Sequence, residues 1–115
     1  MSKSLELRPV LLGDYVYEKV RLRLGSYAMG GGLSVHLDCD EEGLWEPLAT
    51  LTVNVPEDPR PGPLVWARDS EENAGIIDAL AAQGLIEATG RTRPSGFIEM
   101  HEVKLLPPVL DLASE

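Results

Sequence analysis

The residues best equipped for chemistry open with the run Asp38-Cys39-Asp40-Glu41-Glu42-Gly43. Carboxylates at its first, third and fifth positions and a glycine at the sixth imitate the start of a calcium-binding loop. The twelfth position should supply a bidentate glutamate and is Ala49, and the flanks alternate like strands. The run therefore reads as a solvated, acidic hairpin loop. Cys39 is the single cysteine, so no internal disulfide and no multi-cysteine metal site can form. Asp38 and Asp40 beside it predict a thiol whose pKa is raised and whose reactivity is blunted.

Other catalytic arrangements fare no better. His36 and His101 stand 65 residues apart, and neither has a nucleophile beside it. Cys39 lies three residues from His36, and an odd separation along an extended chain places two side chains on opposite faces. The triplet Gly30-Gly31-Gly32 lacks the Lys-Ser/Thr of a phosphate loop. Carboxylates abound, but none has the apolar surroundings that raise a pKa for acid–base work. The chain reads as a non-enzyme that uses no cofactor and no metal. Arg91 and Arg93 could grip a carboxylate or phosphate through their planar forks. The preferred alternative is an internal salt bridge from that loop to Asp69, Glu71 or Glu72.

The elements that must position these groups follow from periodicity. Leu5 to Leu12, with Pro9 inside, predicts an edge strand or lead-in arm. Tyr15 to Leu24 predicts one strand, with Val16, Val20, Leu22 and Leu24 inward and Tyr15, Tyr17, Lys19, Arg21 and Arg23 on a basic outer face. Leu33, Val35 and Leu37 continue the pattern beyond the glycines, His36 facing solvent, and an acidic loop spans Asp38 to Glu46. Leu48 to Val55 gives the clearest strand, ended by Pro56, and Leu64 to Ala67 a short one.

A helix is predicted after a cap at Asp69 or Ser70, with Glu72 completing a capping box. Its apolar stripe is Ile76, Ile77, Leu80 and Ala81, and Gly84 ends it. Leu51, Val53 and Val55 are expected to pack beneath that stripe. Leu85 to Ala88 reads as a short strand, Thr89 to Gly96 as a loop, and Phe97 to Leu105 as a final strand bulged near His101. The class is α+β, a mostly antiparallel sheet of about five to six strands with one helix on one face. Residues 1–106 read as one domain and 107–115 as a mobile tail.

Four segments then stand out together: Glu46-Pro47-Leu48-Ala49-Thr50-Leu51-Thr52-Val53-Asn54-Val55-Pro56, Asp69-Ser70-Glu71-Glu72-Asn73-Ala74-Gly75, Thr89-Gly90-Arg91 and Ser95-Gly96-Phe97. In this order the chain resembles a family of small uncharacterised proteins encoded by phages and integrative elements of bacteria. Its members read roughly EPYATLTVNLP, SENEG, TGR and SGF. The resemblance spans Tyr27 to Leu105. The chain departs from it at Gly30-Gly31-Gly32, where the family usually has an Asn-Gly turn, at Ala74 in place of Glu, and in the proline-rich stretch 56–63. The resemblance implies a mobile-element setting and a small α+β domain, and it transfers no catalytic residue.

Charge points to partners. The first 25 residues carry five bases and three acids, and the remaining ninety carry five bases and sixteen acids, which sum to the net −9. Such a field repels nucleic acid and anionic membranes and attracts basic surfaces. No apolar run reaches membrane-spanning length, and the N-terminus lacks the apolar stretch of a secretory signal, so the expected location is the cytoplasm of a bacterial host.

The leading expectation is an acidic inhibitor of a host defence machine, of anti-CRISPR or anti-restriction type. Asp38, Asp40, Glu41, Glu42, Glu46, Glu57, Asp58, Asp69, Glu71 and Glu72 would occupy a basic nucleic-acid channel by mimicking phosphates. Its partner is a host protein with a basic surface, such as a CRISPR effector or restriction enzyme, with no direct nucleic acid and no membrane. The alternative is a non-catalytic adaptor or structural module that docks through a sheet edge or the Tyr15/Tyr17 face. A third option, single-strand stacking on Tyr15, Tyr17, Lys19, Arg21 and Arg23, is opposed by the net charge.

Overall fold

Alternating apolar residues commit most of this chain to strands, and the computed structural model arranges them in three antiparallel sheets. It describes residues 4–27, 32–55, 57–58, 60–69 and 73–113, apart from the side chain of Ser95. Four strands, β1 (Ser4–Leu7), β4 (Val20–Ser26), β5 (Leu33–Glu41) and β6 (Leu44–Thr50), form one sheet in the order β1-β4-β5-β6. A hairpin of β2 (Val10–Leu12) and β3 (Tyr15–Tyr17) forms the second. The third is β7 (Leu64–Arg68), β9 (Ile98–Leu105) and β8 (Ile86–Ser95), in the order β7-β9-β8. Helices α1 (Ile76–Ala82) and α2 (Pro107–Leu110) complete the described elements. The molecule is thus mostly β with a small helical content, and its sheets are more numerous and smaller than the single sheet expected from sequence.

Two expected strands are each divided. Leu5 to Leu12 breaks at Arg8-Pro9, where Arg8 is held by Gln83. Its Oε1 accepts from Arg8 N at 2.9 Å and its Nε2 donates to Arg8 O at 3.0 Å. Tyr15 to Leu24 breaks at Glu18-Lys19, where the chain crosses from the hairpin to the four-stranded sheet. Val16 therefore does not share the inward face of Val20 and Leu22. It pairs with Leu11 on the outside of the hairpin and is 48% exposed.

The third correction concerns Leu48 to Val55. Strand β6 ends at Thr50, and the next residues link two sheets instead of extending one. Leu51 N donates to Val35 O in β5 at 3.0 Å, while Val53 N donates to Trp66 O in β7 at 2.9 Å. Thr52 lies buried at the crossing, where its hydroxyl oxygen accepts from Val35 N at 3.1 Å and meets the Tyr27 hydroxyl at 2.9 Å. Leu51 accordingly joins Ile76, Ile77 and Leu80 in the main core, whereas Val53 and Val55 join Trp66 and Met100 on the far face of the three-stranded sheet.

Helix α1 is shorter than predicted. Ile76, Ile77 and Leu80 are buried, but Ala81 is exposed. At its C-terminus Gly84 adopts φ 73°, with Gly84 N donating to Ala81 O and Leu85 N to Leu80 O, the paired bonds of a Schellman motif. Strand β9 needs no bulge at His101. The irregularity lies in its partner β8, between Ala88 and Thr92, and β8 occupies most of the expected loop 89–96. Met100 and Glu102 face one side of β9 and Val103 and Leu105 supply core from it, so both sides are covered. In place of a mobile tail, Pro107–Leu110 is helical, with Val109 fully buried and Leu110 and Leu112 packed on the core. Among the described residues no helix is long and apolar enough to cross a membrane.

Candidate functional site

The acidic run that opened the sequence forms the end of a hairpin. Strands β5 and β6 pair up to Glu41↔Leu44, leaving a two-residue turn at Glu42-Gly43. Glu42 has φ 56° and Gly43 φ 87°, the positive values that define a type I′ turn. Glycine accepts that conformation freely, whereas for glutamate it is costly. Asp40 supports the turn by accepting from Gly43 N at 2.9 Å, and its other oxygen lies 3.2 Å from Lys19 Nζ.

Five of the candidate acids, Asp38, Asp40, Glu41, Glu42 and Glu46, fall on this hairpin, but they do different things. Asp38 sits in the outer face of the four-stranded sheet, yet its side chain is only 4% exposed. Arg21 Nε donates to its Oδ2 at 2.9 Å, and Arg23 donates to both oxygens, at 2.5 and 3.1 Å. Burial by itself would raise the Asp38 pKa, but the hydrogen bonds from Arg23 and Arg21 outweigh it and hold the carboxyl below the usual range. Trp45 completes the cover, with the Arg21 guanidinium 4.6 Å and the Lys19 ammonium 5.8 Å from its ring centroid. The expected basic face is thus neutralised from within. Of these five acids, only Glu41, Glu42 and Glu46 are exposed without a cationic partner among the described residues.

The other candidate acids lie elsewhere. Asp58 accepts from Arg60 at 2.6 Å and from Arg93 at 2.5 Å, and these bonds, that of Arg93 foremost, lower its pKa. Exposed Glu57 lies 3.8 Å from the same Arg93. Asp69 caps α1 from a distance, one oxygen accepting from Gly75 N and the other from Ile77 N, both at 2.9 Å. Glu71 and Glu72, with Ser70, fall outside the described residues, and so does the capping box that Glu72 would complete.

Arg91 and Arg93 do form internal ion pairs, but with partners other than those expected. Arg93 holds Asp58, and Arg91 lies 3.8 Å from Glu102. Glu102 is buried, accepting from Arg60 Nη1 and from the Thr89 hydroxyl, each at 2.8 Å. The Arg60 hydrogen bond, more than any other contact, depresses its pKa. Arg60 also lies over Trp66, 5.1 Å from its centroid. This cluster fastens the proline-rich segment after Val55 to β8 and β9. Its sequence signal was Glu102 two residues from Met100, a charge on the face of β9 that Met100 buries.

The remaining chemistry-bearing groups diverge. His36 Nε2 lies 3.0 Å from Ser34 Oγ and Nδ1 3.2 Å from Thr50 Oγ1, and burial followed by the nearby Arg23 charge lowers its pKa. Cys39 points to the opposite face of β5 and is 7% exposed. Its thiol pKa is raised first by burial and then by Glu41 and Glu46, with Asp38 a smaller contributor. The carboxylates at the first and third positions of the calcium-like run are directed to arginines and to the turn respectively, so they do not converge on a cation. Among the described residues no cluster of histidine, cysteine and carboxylate ligands gathers round one point.

Residues 21–106, from β4 through β9, match the family model described as Domain of unknown function (DUF4313). No curated protein matches the chain. No solved structure matches it either. With the match covering most of its length, the chain belongs to the DUF4313 family.

Proposed function

We propose that this protein is a non-catalytic, acidic binding protein that occupies a basic surface on a host defence machine, a CRISPR effector or restriction enzyme, in the bacterial cytoplasm. The observation that carries the reading is the β5–β6 tip. Glu41, Glu42 and Glu46 stand exposed there on a rigid hairpin, without cationic partners among the described residues. Glu42 holds that place at a positive φ, a costly conformation for its side chain. Carboxylates so held offer lysine and arginine the attraction that phosphates do, reinforced by the net −9. Glu57 extends the exposed acid on another part of the surface. The mobile-element setting comes from the family resemblance.

A capture experiment tests the proposal. Immobilised protein in bacterial lysate should retain a nucleic-acid-binding complex, release it with salt and compete with its DNA. The triple variant Glu41→Gln/Glu42→Gln/Glu46→Gln should associate with that complex several-fold more slowly at low salt, with a flatter salt dependence. A wild-type rate at every salt concentration would remove the physical basis of mimicry. The exposed pair Leu11 and Val16 favours a second reading, a protein-binding adaptor with no inhibitory role. Retention of a complex that keeps its DNA and its activity would select that one.

A further inference from the structure

The β2–β3 hairpin presents an apolar pair that nothing in the described chain covers. Leu11 and Val16 face each other across the strands and are 52% and 48% exposed. The opposite face of β2 is committed to the core through Val10 and Leu12, at 0% and 6%. An isolated two-strand hairpin is marginally stable, but this one is clamped at both ends by residues that flank α1. Gly13 N donates to Ala74 O at 2.9 Å at the turn, and Gln83 brackets Arg8 where the hairpin begins. The apolar pair is therefore displayed on a preorganised surface, which lowers the entropic cost of docking.

The surroundings indicate what would dock. One concavity adjoins Leu11 and is lined by Ala74, Gly75, Ala79 and the carboxylate-bearing Asp78. A second adjoins Val16 and is lined by Tyr15, Glu18, Asp40 and Glu41, with Lys19 the single cation. Tyr15, 62% exposed, leans on Tyr17 with ring centroids 4.6 Å apart. Asp14 in the turn adds another exposed acid. An apolar ridge bordered by carboxylates complements a segment that carries both apolar and cationic side chains.

We infer that the Leu11–Val16 face docks a basic amphipathic segment of a protein partner, its apolar side chains over Leu11 and Val16 and its lysines or arginines against Asp14, Glu18, Glu41 and Asp78. The inference rests on the proposed reading of a binding protein and names its contact surface. Fluorescence anisotropy tests it with two labelled probes, an amphipathic lysine–leucine peptide and a lysine–glutamine peptide of equal length and charge. The lysine–leucine peptide should bind about tenfold more tightly, equivalent to roughly 1.4 kcal/mol. Leu11→Ser/Val16→Ser should erase that advantage and leave the lysine–glutamine affinity unchanged. Asp14→Asn/Glu18→Gln/Asp78→Asn, with the apolar pair intact, provides a second arm: weaker binding of the lysine–leucine peptide and a flatter salt dependence.

Equal affinity for the two peptides, or wild-type binding by either variant, would overturn the docking face while leaving an acidic binding protein in place. Failure of both peptides to bind even at low salt would overturn the broader reading with it. Sedimentation gives the remaining outcome. Wild-type dimers that Leu11→Ser/Val16→Ser converts to monomers would make a second copy the occupant and refute a basic partner.

Discussion

Asp38 shows how far one side chain's role depends on its neighbours. Replacing it with Asn leaves two guanidiniums without their anion and should lower stability by about 2 kcal/mol, moderated because both arginines reach solvent. Thermal unfolding would measure the loss. The pH dependence follows with a definite sign. Its folded-state pKa lies below the ordinary carboxyl value, so its stabilising contribution is full above that value and disappears as pH falls through the folded one. In Asp38→Asn the stability curve should therefore fall less steeply than wild type below about pH 4. Reversing Arg21 and Arg23 to Glu, harmless on an exposed basic face, would here place three carboxylates together and unfold the sheet. Cys39, buried with its thiol pKa raised, should react with a disulfide reagent at neutral pH far more slowly than free cysteine. Rapid labelling of the folded protein would contradict that placement.

The hairpin tip and the start of α1 are where whole elements can be tested. Asn in place of Glu42 suits the first position of a type I′ turn and should stabilise the protein by about 0.5 kcal/mol while weakening capture of a basic partner. A destabilised Glu42→Asn would mean that the glutamate side chain makes a contact that outweighs its backbone strain. Asp69→Ala removes acceptors for two backbone amides and should cost about 1 kcal/mol, read as a lower denaturant midpoint with unchanged slope. The segments that carry the family resemblance act as fasteners of this kind. Thr52 joins two sheets, Asn73 donates to Thr50 O at 2.7 Å, Thr89 holds Glu102, and Gly96-Phe97 forms the β8–β9 turn.

For the whole molecule, the count of nineteen acidic residues overstates the acid available to a partner. Asp38, Asp58 and Glu102 are engaged with arginines from distant parts of the chain, and Asp69 with backbone amides. Glu41, Glu42 and Glu46 at the β5–β6 tip and Asp14, Glu18 and Asp78 around the β2–β3 hairpin project outward, as do Glu6, Glu57, Glu87, Glu99 and Asp111 elsewhere on the described surface. The internally paired carboxylates make the fold sensitive to acid. Asp58 and Glu102, like Asp38, have lowered pKa values, so their contributions are lost as pH falls through those values. Glu102→Gln should blunt acid unfolding, detectable as a smaller difference in melting temperature between neutral pH and pH near 3. Its neutral-pH stability should drop as the Arg60 bond loses its charge.

Local chemistry was enough to determine part of this protein. Alternation placed Val20, Leu22, Val35 and Leu37 inward, because a strand sends successive side chains to opposite faces whatever surrounds it. The same rule separated Cys39 from His36, the apolar spacing located the buried face of α1, and Gly84 marked its end. Sequence could also establish that Arg91 and Arg93 were candidates for internal pairing. It could not supply their partners, because Asp58 and Glu102 reach them only through the pairing of β8 with β9 and the packing of the segment before β7. Nor could it divide Leu5 to Leu12 or Tyr15 to Leu24 between sheets, since the pleat looks alike locally on either side of the break. Burial of Asp38 was decided in the same way. A carboxylate within an acidic run reads as solvated until a neighbouring strand, in register, lays two guanidiniums across it.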